Sequence, residues 1–150
     1  MKKLIAIFLA ALTALSLTAC AAKSDAQPDA SEIPDLVPIL AVLLSFCKGE
    51  SRIYNAGRLR MKESDRLAAT AGELSHLGVN ITEGADSLTV IGGQTINCGT
   101  VSSRHDHRIA MALAIAACRA EGDEVRITDA YSAVKKSYPD FFDVYRELCK

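Results

Sequence analysis

Three short stretches place cations at what read as helix starts. Lys62-Glu63-Ser64-Asp65-Arg66 leads into one apolar-periodic run, Arg104-His105-Asp106-His107-Arg108 into a second, and Lys135-Lys136-Ser137-Tyr138-Pro139 into a third. A Lys or Arg in a first helical turn opposes the macrodipole and costs roughly a few tenths of a kcal/mol. One such case carries no meaning. Three point to convergence on an anion, because helix N-termini already bind phosphate and carboxylate through unsatisfied N–H groups. An Arg fork adds bidentate contacts to the same groups. Three unrelated surface cations would give the same spacing, and spacing alone does not separate the two readings.

Acids accompany the cations: Asp35, Glu63, Asp65 and Asp106. Asp65 and Asp106 read first as helix N-caps, although a carboxylate beside a bound anion can also move protons. His105 and His107 are two residues apart and so do not share a helical face. His76 reads as solvated. Gly92-Gly93 lacks the further glycines and the lysine of a phosphate loop and reads as a turn. Cys47, Cys98, Cys118 and Cys149 are widely spaced without a Cys-x-x-Cys, so no metal site is expected. Cys47 and Cys118 lie in apolar runs and read as buried small hydrophobes.

The elements that must position these groups follow from periodicity. Pro34 and Asp35 suit the first turn of a helix over Ile33 to Cys47, which Lys48-Gly49 ends. This run is apolar all round, which predicts burial, and it is too short to span a membrane. Arg52 to Asn55 reads as a strand. Arg66 to Leu77 reads as a helix with Leu67, Ala71, Leu74 and Leu77 on one stripe and Gly78 as its C-cap. Val79 to Ile81 and Leu88 to Ile91 read as strands around the turn residues Gly84, Asp86 and Ser87. His105 to Arg119 is an Ala-rich helix, Val125 to Ile127 a strand, and Pro139 to Leu148 a final short helix. Alternation of this kind predicts a layered α/β or α+β fold.

The chain of 150 residues has a single-domain length, is 49% hydrophobic and 23% charged, and carries a formal net charge of −1. Near-neutral charge gives no electrostatic footprint for nucleic acid, and 5% aromatic residues without Trp give no stacking platform. The N-terminus stands apart. Met1-Lys2-Lys3 precedes an apolar run over Leu4 to Ala19 that fits a secretory h-region, and Leu17-Thr18-Ala19-Cys20 resembles the lipobox of bacterial lipoproteins, whose Cys is diacylated. Residues 1–20 are therefore expected to be a lipoprotein signal peptide and lipobox, with Cys20 the lipidation site. Residues 21–32 contain no aliphatic residue larger than Ala and are expected to be a flexible linker. The body is expected over residues 33–150.

Within that body four strings, in order, resemble one family. Ile33-Pro34-Asp35, then Asn55-Ala56-Gly57-Arg58-Leu59-Arg60-Met61-Lys62-Glu63-Ser64-Asp65-Arg66-Leu67, then Asp106-His107-Arg108-Ile109-Ala110-Met111, then Lys136-Ser137-Tyr138-Pro139-Asp140-Phe141-Phe142 are similar to successive motifs of 3-phosphoshikimate 1-carboxyvinyltransferase (EPSP synthase). The resemblance implies an α+β fold of βαβαββ-type units, here incomplete and limited to part of the second domain. It implies transfer of the enolpyruvyl group of phosphoenolpyruvate to the 5-hydroxyl of shikimate 3-phosphate, in the shikimate pathway, with no cofactor. Arg66, Arg108 and Lys136 would clamp phosphoenolpyruvate, and Asn55 would contact substrate. Asp35 and Glu63 would handle protons, one of the two near the 5-hydroxyl and the other near the methylene carbon, and Lys62 would sit against both substrates.

The resemblance covers about the last quarter of such a chain. The lysines and arginines that hold the shikimate phosphate in the N-terminal domain, and its Ser-Ser-Gln motif, have no counterpart in these residues. Partners implied are therefore phosphoenolpyruvate, shikimate 3-phosphate and a chain supplying the N-terminal domain. As the sequence stands, the expected location is the membrane, through a lipid anchor. The alternative function is a lipid-anchored, non-catalytic binding or remnant domain. The alternative location is the cytoplasm, the family norm, if the junction near Ser31-Glu32-Ile33 is spurious.

Overall fold

The computed structural model describes residues 25–149; the expected leader, with Cys20, lies outside the described residues. Pro34–Leu36 forms a 3-10 turn that runs into helix α1, Val37–Phe46. Pro34 and Pro38 are tolerated because the first N–H groups of a helix have no intrahelical acceptor. Strand β1, Gly49–Ile53, leads through a second 3-10 turn, Gly57–Met61, to α2, Arg66–His76. Strands β2 (Asn80–Glu83), β3 (Leu88–Gly92) and β4 (Ile96–Ser102) follow, then α3 (His107–Ala117), β5 (Ala120–Thr128), α4 (Ala130–Val134) and α5 (Phe141–Leu148).

The strands form two small sheets. One is antiparallel in the order β1-β3-β2, with Ile53 opposite Leu88 and Thr82 opposite Thr89. The other pairs β4 with β5 in parallel, Val101 opposite Ile127, and α3 is the crossover that a parallel pair requires. Helices α1, α2 and α3 pack against one another, and α1 also packs on β3. Their shared core contains Val37, Val42, Leu67, Leu74, Ile109 and Leu113, with Ile53, Leu88 and Val90 from the antiparallel sheet. Gly92 lets β3 meet the end of α1: a Cβ there would stand 2.2 Å from the Leu44 carbonyl oxygen and 2.0 Å from that of Cys47.

The α+β reading stands, and several details differ. Strand β4 and helix α4 were not anticipated. The helix expected from His105 starts at His107, and the one expected from Pro139 starts at Phe141. α3 buries Ile109, Ala110, Ala112, Leu113, Ala114 and Ala116 and leaves Met111 and Ile115 partly covered, and α1 buries Val37, Ala41 and Val42 and leaves Ile39, Leu40 and Leu44 partly covered. Cys118 is exposed rather than buried, because it caps the end of α3.

The expected linker over 21–32 is docked from Ala26 onward. The Ala26 carbonyl accepts from Arg52 N–H at 2.9 Å, Pro28 from Tyr54 at 3.2 Å, and Ala30 N–H donates to the Tyr54 carbonyl at 2.9 Å. Ala30 is 1% exposed within the core. Small residues do not leave this segment solvated; they permit close backbone pairing along the free edge of β1, which would otherwise present unpaired groups.

Candidate anion-binding and proton-transfer site

The starts of α1, α2 and α3 come together at one end of the helical layer, and the chemistry-bearing residues lie there. Asp65 caps α2 by accepting from Ala68 N–H at 3.0 Å. Asp106 caps α3 by accepting from Arg108 N–H at 2.9 Å. Both caps agree with the reading of these aspartates from sequence. Asp106 does more: it is fully buried and its second oxygen accepts from Arg66 Nε at 2.7 Å and Ser64 Oγ at 3.1 Å.

Arg66 is the centre of the cluster. Its side chain is 1% exposed, and each of its three nitrogens meets a different carboxylate. Nε donates to Asp106, Nη1 to Asp35 at 2.8 Å, and Nη2 to Glu63. A buried guanidinium is tolerable only when its donors are satisfied this way. Asp35, at the 3-10 turn before α1, is in turn surrounded by cations. Besides Arg66 it meets Arg108 Nη2 at 3.0 Å and Lys62 Nζ at 3.3 Å. Arg108 Nε is buried without a partner in the structure.

The electrostatics follow from these contacts. Burial alone would raise the Asp35 carboxyl; the hydrogen bond from Lys62 and the charges of Arg108, Lys62 and Arg66 outweigh it and hold the group below its ordinary range. Asp106 behaves alike: burial raises it, and Arg66, the Arg108 N–H and Ser64 together bring it below the usual aspartate range. For Asp65, too, burial is outweighed, by the Ala68 N–H and Arg60. Asp35 and Asp106 are thus held charged.

Of the residues singled out from sequence, Asp35, Lys62, Glu63, Arg66 and Arg108 are brought into one contact network. Asn55 and Lys136 stand outside it. Asn55 has a left-handed backbone, φ 57°, and its side-chain amide donates to Asp29 at 3.1 Å. Lys136 is exposed in the turn after α4 and does not open the last helix, which begins after Asp140. Pro139 disfavours helical backbone at Tyr138, so α4 cannot run on into α5. Sequence reasoning did not foresee that Asp106 and Ser64 would complete the shell of Arg66. Nor did it find Glu73, 2% exposed, which accepts from Ser102 N–H at 2.8 Å and Arg104 Nε at 2.7 Å and ties α2 to the end of β4. A Glu on the apolar stripe of α2 was the available signal. Among the described residues no cluster of His, Cys, Asp or Glu has the makings of a metal site.

The family profile for EPSP synthase (3-phosphoshikimate 1-carboxyvinyltransferase) matches residues 14–145, reaching back into the expected leader. The 3-phosphoshikimate 1-carboxyvinyltransferase of Clostridium botulinum (strain Alaska E43 / Type E3) is 47% identical over 121 residues, 80% of this chain and 28% of the relative. That of Clostridioides difficile (strain 630) is 50% identical over 121 residues, 80% of this chain and 27% of the relative. An EPSP synthase structure from Acinetobacter baumannii superposes with a TM-score of 0.73 at 28% identity, over 79% of this chain and 28% of that one. The chain therefore spans a little over a quarter of the length of these relatives. The chain belongs to the EPSP synthase family.

Proposed function

We propose that this chain supplies the phosphoenolpyruvate side of an EPSP synthase site and takes part in enolpyruvyl transfer to shikimate 3-phosphate only together with a polypeptide carrying the remainder of the family's length. The observation that carries this reading is the convergence of Lys62, Arg66 and Arg108 on the single carboxylate of Asp35. A carboxylate held by two guanidinium groups and an ammonium marks the position where the carboxylate or phosphate of phosphoenolpyruvate would sit. Fixed cations there would stabilise the charge of an addition intermediate. Asp35 and Glu63, both in contact with Arg66, are the carboxylates within reach for proton transfer. Lys136 and Asn55 would join the clamp through the rest of the assembly.

The test is turnover with both substrates, for the chain alone and for the chain mixed with a polypeptide covering the remaining length of a clostridial relative. The expected result is no turnover alone, turnover in the mixture, and its loss in Arg108→Ala. Turnover by the chain alone, abolished by Arg108→Ala, would overturn the requirement for a partner. A non-catalytic anion-binding domain is the second reading. Its remnant form, without ligand, is favoured by charge balance: Lys62, Arg66 and Arg108 are matched by Asp35, Glu63 and Asp106, so the cluster as it stands has no spare positive charge to hold an anion.

We further propose that Cys20 is lipid-acylated and that the chain is a membrane-anchored lipoprotein. The lipobox-like Leu17-Thr18-Ala19-Cys20 supports this. With residues docked from Ala26 onward, the five residues between reach about 17 Å, so the body would lie close to the bilayer. Fatty-acid labelling that Cys20→Ser removes is the expected result; labelling that survives Cys20→Ser would refute the lipobox, and an unmutated chain that takes up no label would favour the cytoplasm.

A further inference from the structure

Helices α3 and α5 end beside each other. Cys118 is the C-cap of α3 and Cys149 the C-cap of α5. Their sulfurs are 3.9 Å apart although the residues are 31 positions apart in sequence. Both side chains are exposed. A disulfide has an S–S distance of about 2.05 Å, so small side-chain rotations at two helix termini bring the sulfurs into bonding range. The Tyr145 hydroxyl lies 3.3 Å from Cys118 Sγ and fixes the approach of α5 to this point.

Helix α5 has reason to need a tie. None of its residues is fully buried. It is held by ring contacts, Phe142 on Tyr131 at 4.6 Å between centroids and Phe141 on Tyr138 at 5.9 Å, beside a small cluster of Ala110, Ala130, Ala133 and Val134.

We propose that Cys118 and Cys149 form a redox-dependent disulfide that locks α5 onto α3. The oxidant is a small-molecule disulfide of the glutathione type. One cysteine thiolate attacks it and releases one glutathione thiol, leaving a mixed disulfide. The second cysteine thiolate displaces the other glutathione. Two protein thiols are oxidised, one glutathione disulfide is reduced to two thiols, and the two protons leave with them. The bond would stand in an oxidising compartment and open in a reducing one. Although Cys149 is exposed as a residue, local desolvation of its sulfur against α3 and the neighbouring Cys118 push the thiol up, which lowers its thiolate fraction and slows the exchange.

The full chain, incubated for hours with oxidised glutathione, alkylated and digested with trypsin, tests this. The expected product is peptide 109–119 joined to peptide 147–150 within one chain, lighter by two hydrogens than the separate peptides. Cys118→Ser and Cys149→Ser each abolish it. Oxidation should raise the unfolding midpoint of the unmutated chain by on the order of 10 °C, from closure of the intervening loop, and leave both variants unchanged. Alkylation of both thiols, glutathione retained separately on each, or linkage found only in covalent dimers would overturn the proposal.

Discussion

Replacing Asp106 by Ala removes three things at once: the N-cap of α3, the hydrogen bond from Ser64, and one of three carboxylates on a guanidinium that is 1% exposed. The lost cap is worth about 1 kcal/mol. The lost charge-assisted bond to Arg66 is worth about 1.5–3 kcal/mol. The full penalty for orphaning a buried ion, about 3–5 kcal/mol, does not apply, because Asp35 and Glu63 still meet Arg66. Asp106→Ala should therefore cost about 3–4 kcal/mol, a large part of a typical folding stability of about 5–15 kcal/mol. Asp106→Asn should cost about 2 kcal/mol, since Asn caps as well as Asp and only the charge is lost. Urea unfolding followed by circular dichroism reads both, with midpoint shifts of roughly 1–2 M. A loss below about 1 kcal/mol for the Ala variant would refute the view that this carboxylate holds Arg66 in place.

Other outcomes follow from the same contacts. Asp35, Asp65, Asp106 and Glu73 all have folded values below their ordinary ranges, burial being outweighed in each by hydrogen bonds and cations. Their contribution to stability is complete above the unfolded-state values near 4 and is lost as pH falls through the lower folded values. Thermal midpoints should therefore hold between about pH 7 and pH 5 and fall steeply below about pH 4, less steeply in Asp106→Asn; a flat profile to pH 3 would contradict the cluster. Gly92→Ala should cost about 1–3 kcal/mol or prevent folding, because its Cβ meets the backbone carbonyls at the end of α1 rather than a movable side chain. A stability change within about 0.5 kcal/mol would show that β3 and α1 can part freely.

Local signals in this chain were legible and long-range ones were not. Asp65 and Asp106 could be read as caps because a cap is a matter of three or four residues. The all-round apolar runs of α1 and α3 pointed to burial through composition alone, and each helix buries some of its apolar residues and leaves others partly covered. Strand β4 was missed because Asn97, Cys98 and Gly99 interrupt its apolar pattern, and its partner β5 lies across a whole helix. Helix α4 has five residues, too few for any period to show. The docking of Ala26 to Ala30 depends on a free strand edge that no local pattern reveals. For the site, the cations were legible through their unusual placement at helix starts. Their common partner was not, because Asp35 is 31 residues from Arg66 and 73 from Arg108.

That common partner changes what the cluster can do. If the cluster is the anion site proposed above, Asp35 occupies the ligand's place, and a phosphate or carboxylate entering would have to displace it or share the cations with it. Displacement would also strip Asp35 of the contacts that hold its carboxyl low, making it a stronger base when a ligand is bound. Asp35→Asn removes the competitor and leaves the cluster with a net positive charge. Two unit charges about 5 Å apart interact by about 3 kcal/mol at an effective dielectric constant of about 20. Asp35 is 42% exposed, and solvent and salt reduce this to about 1 kcal/mol, or roughly fivefold in affinity. Calorimetric titration with inorganic phosphate should show that gain in the variant, shrinking as salt is raised. Equal or weaker binding by Asp35→Asn would mean that the three cations hold Asp35 for the sake of the fold and are not a ligand site at all.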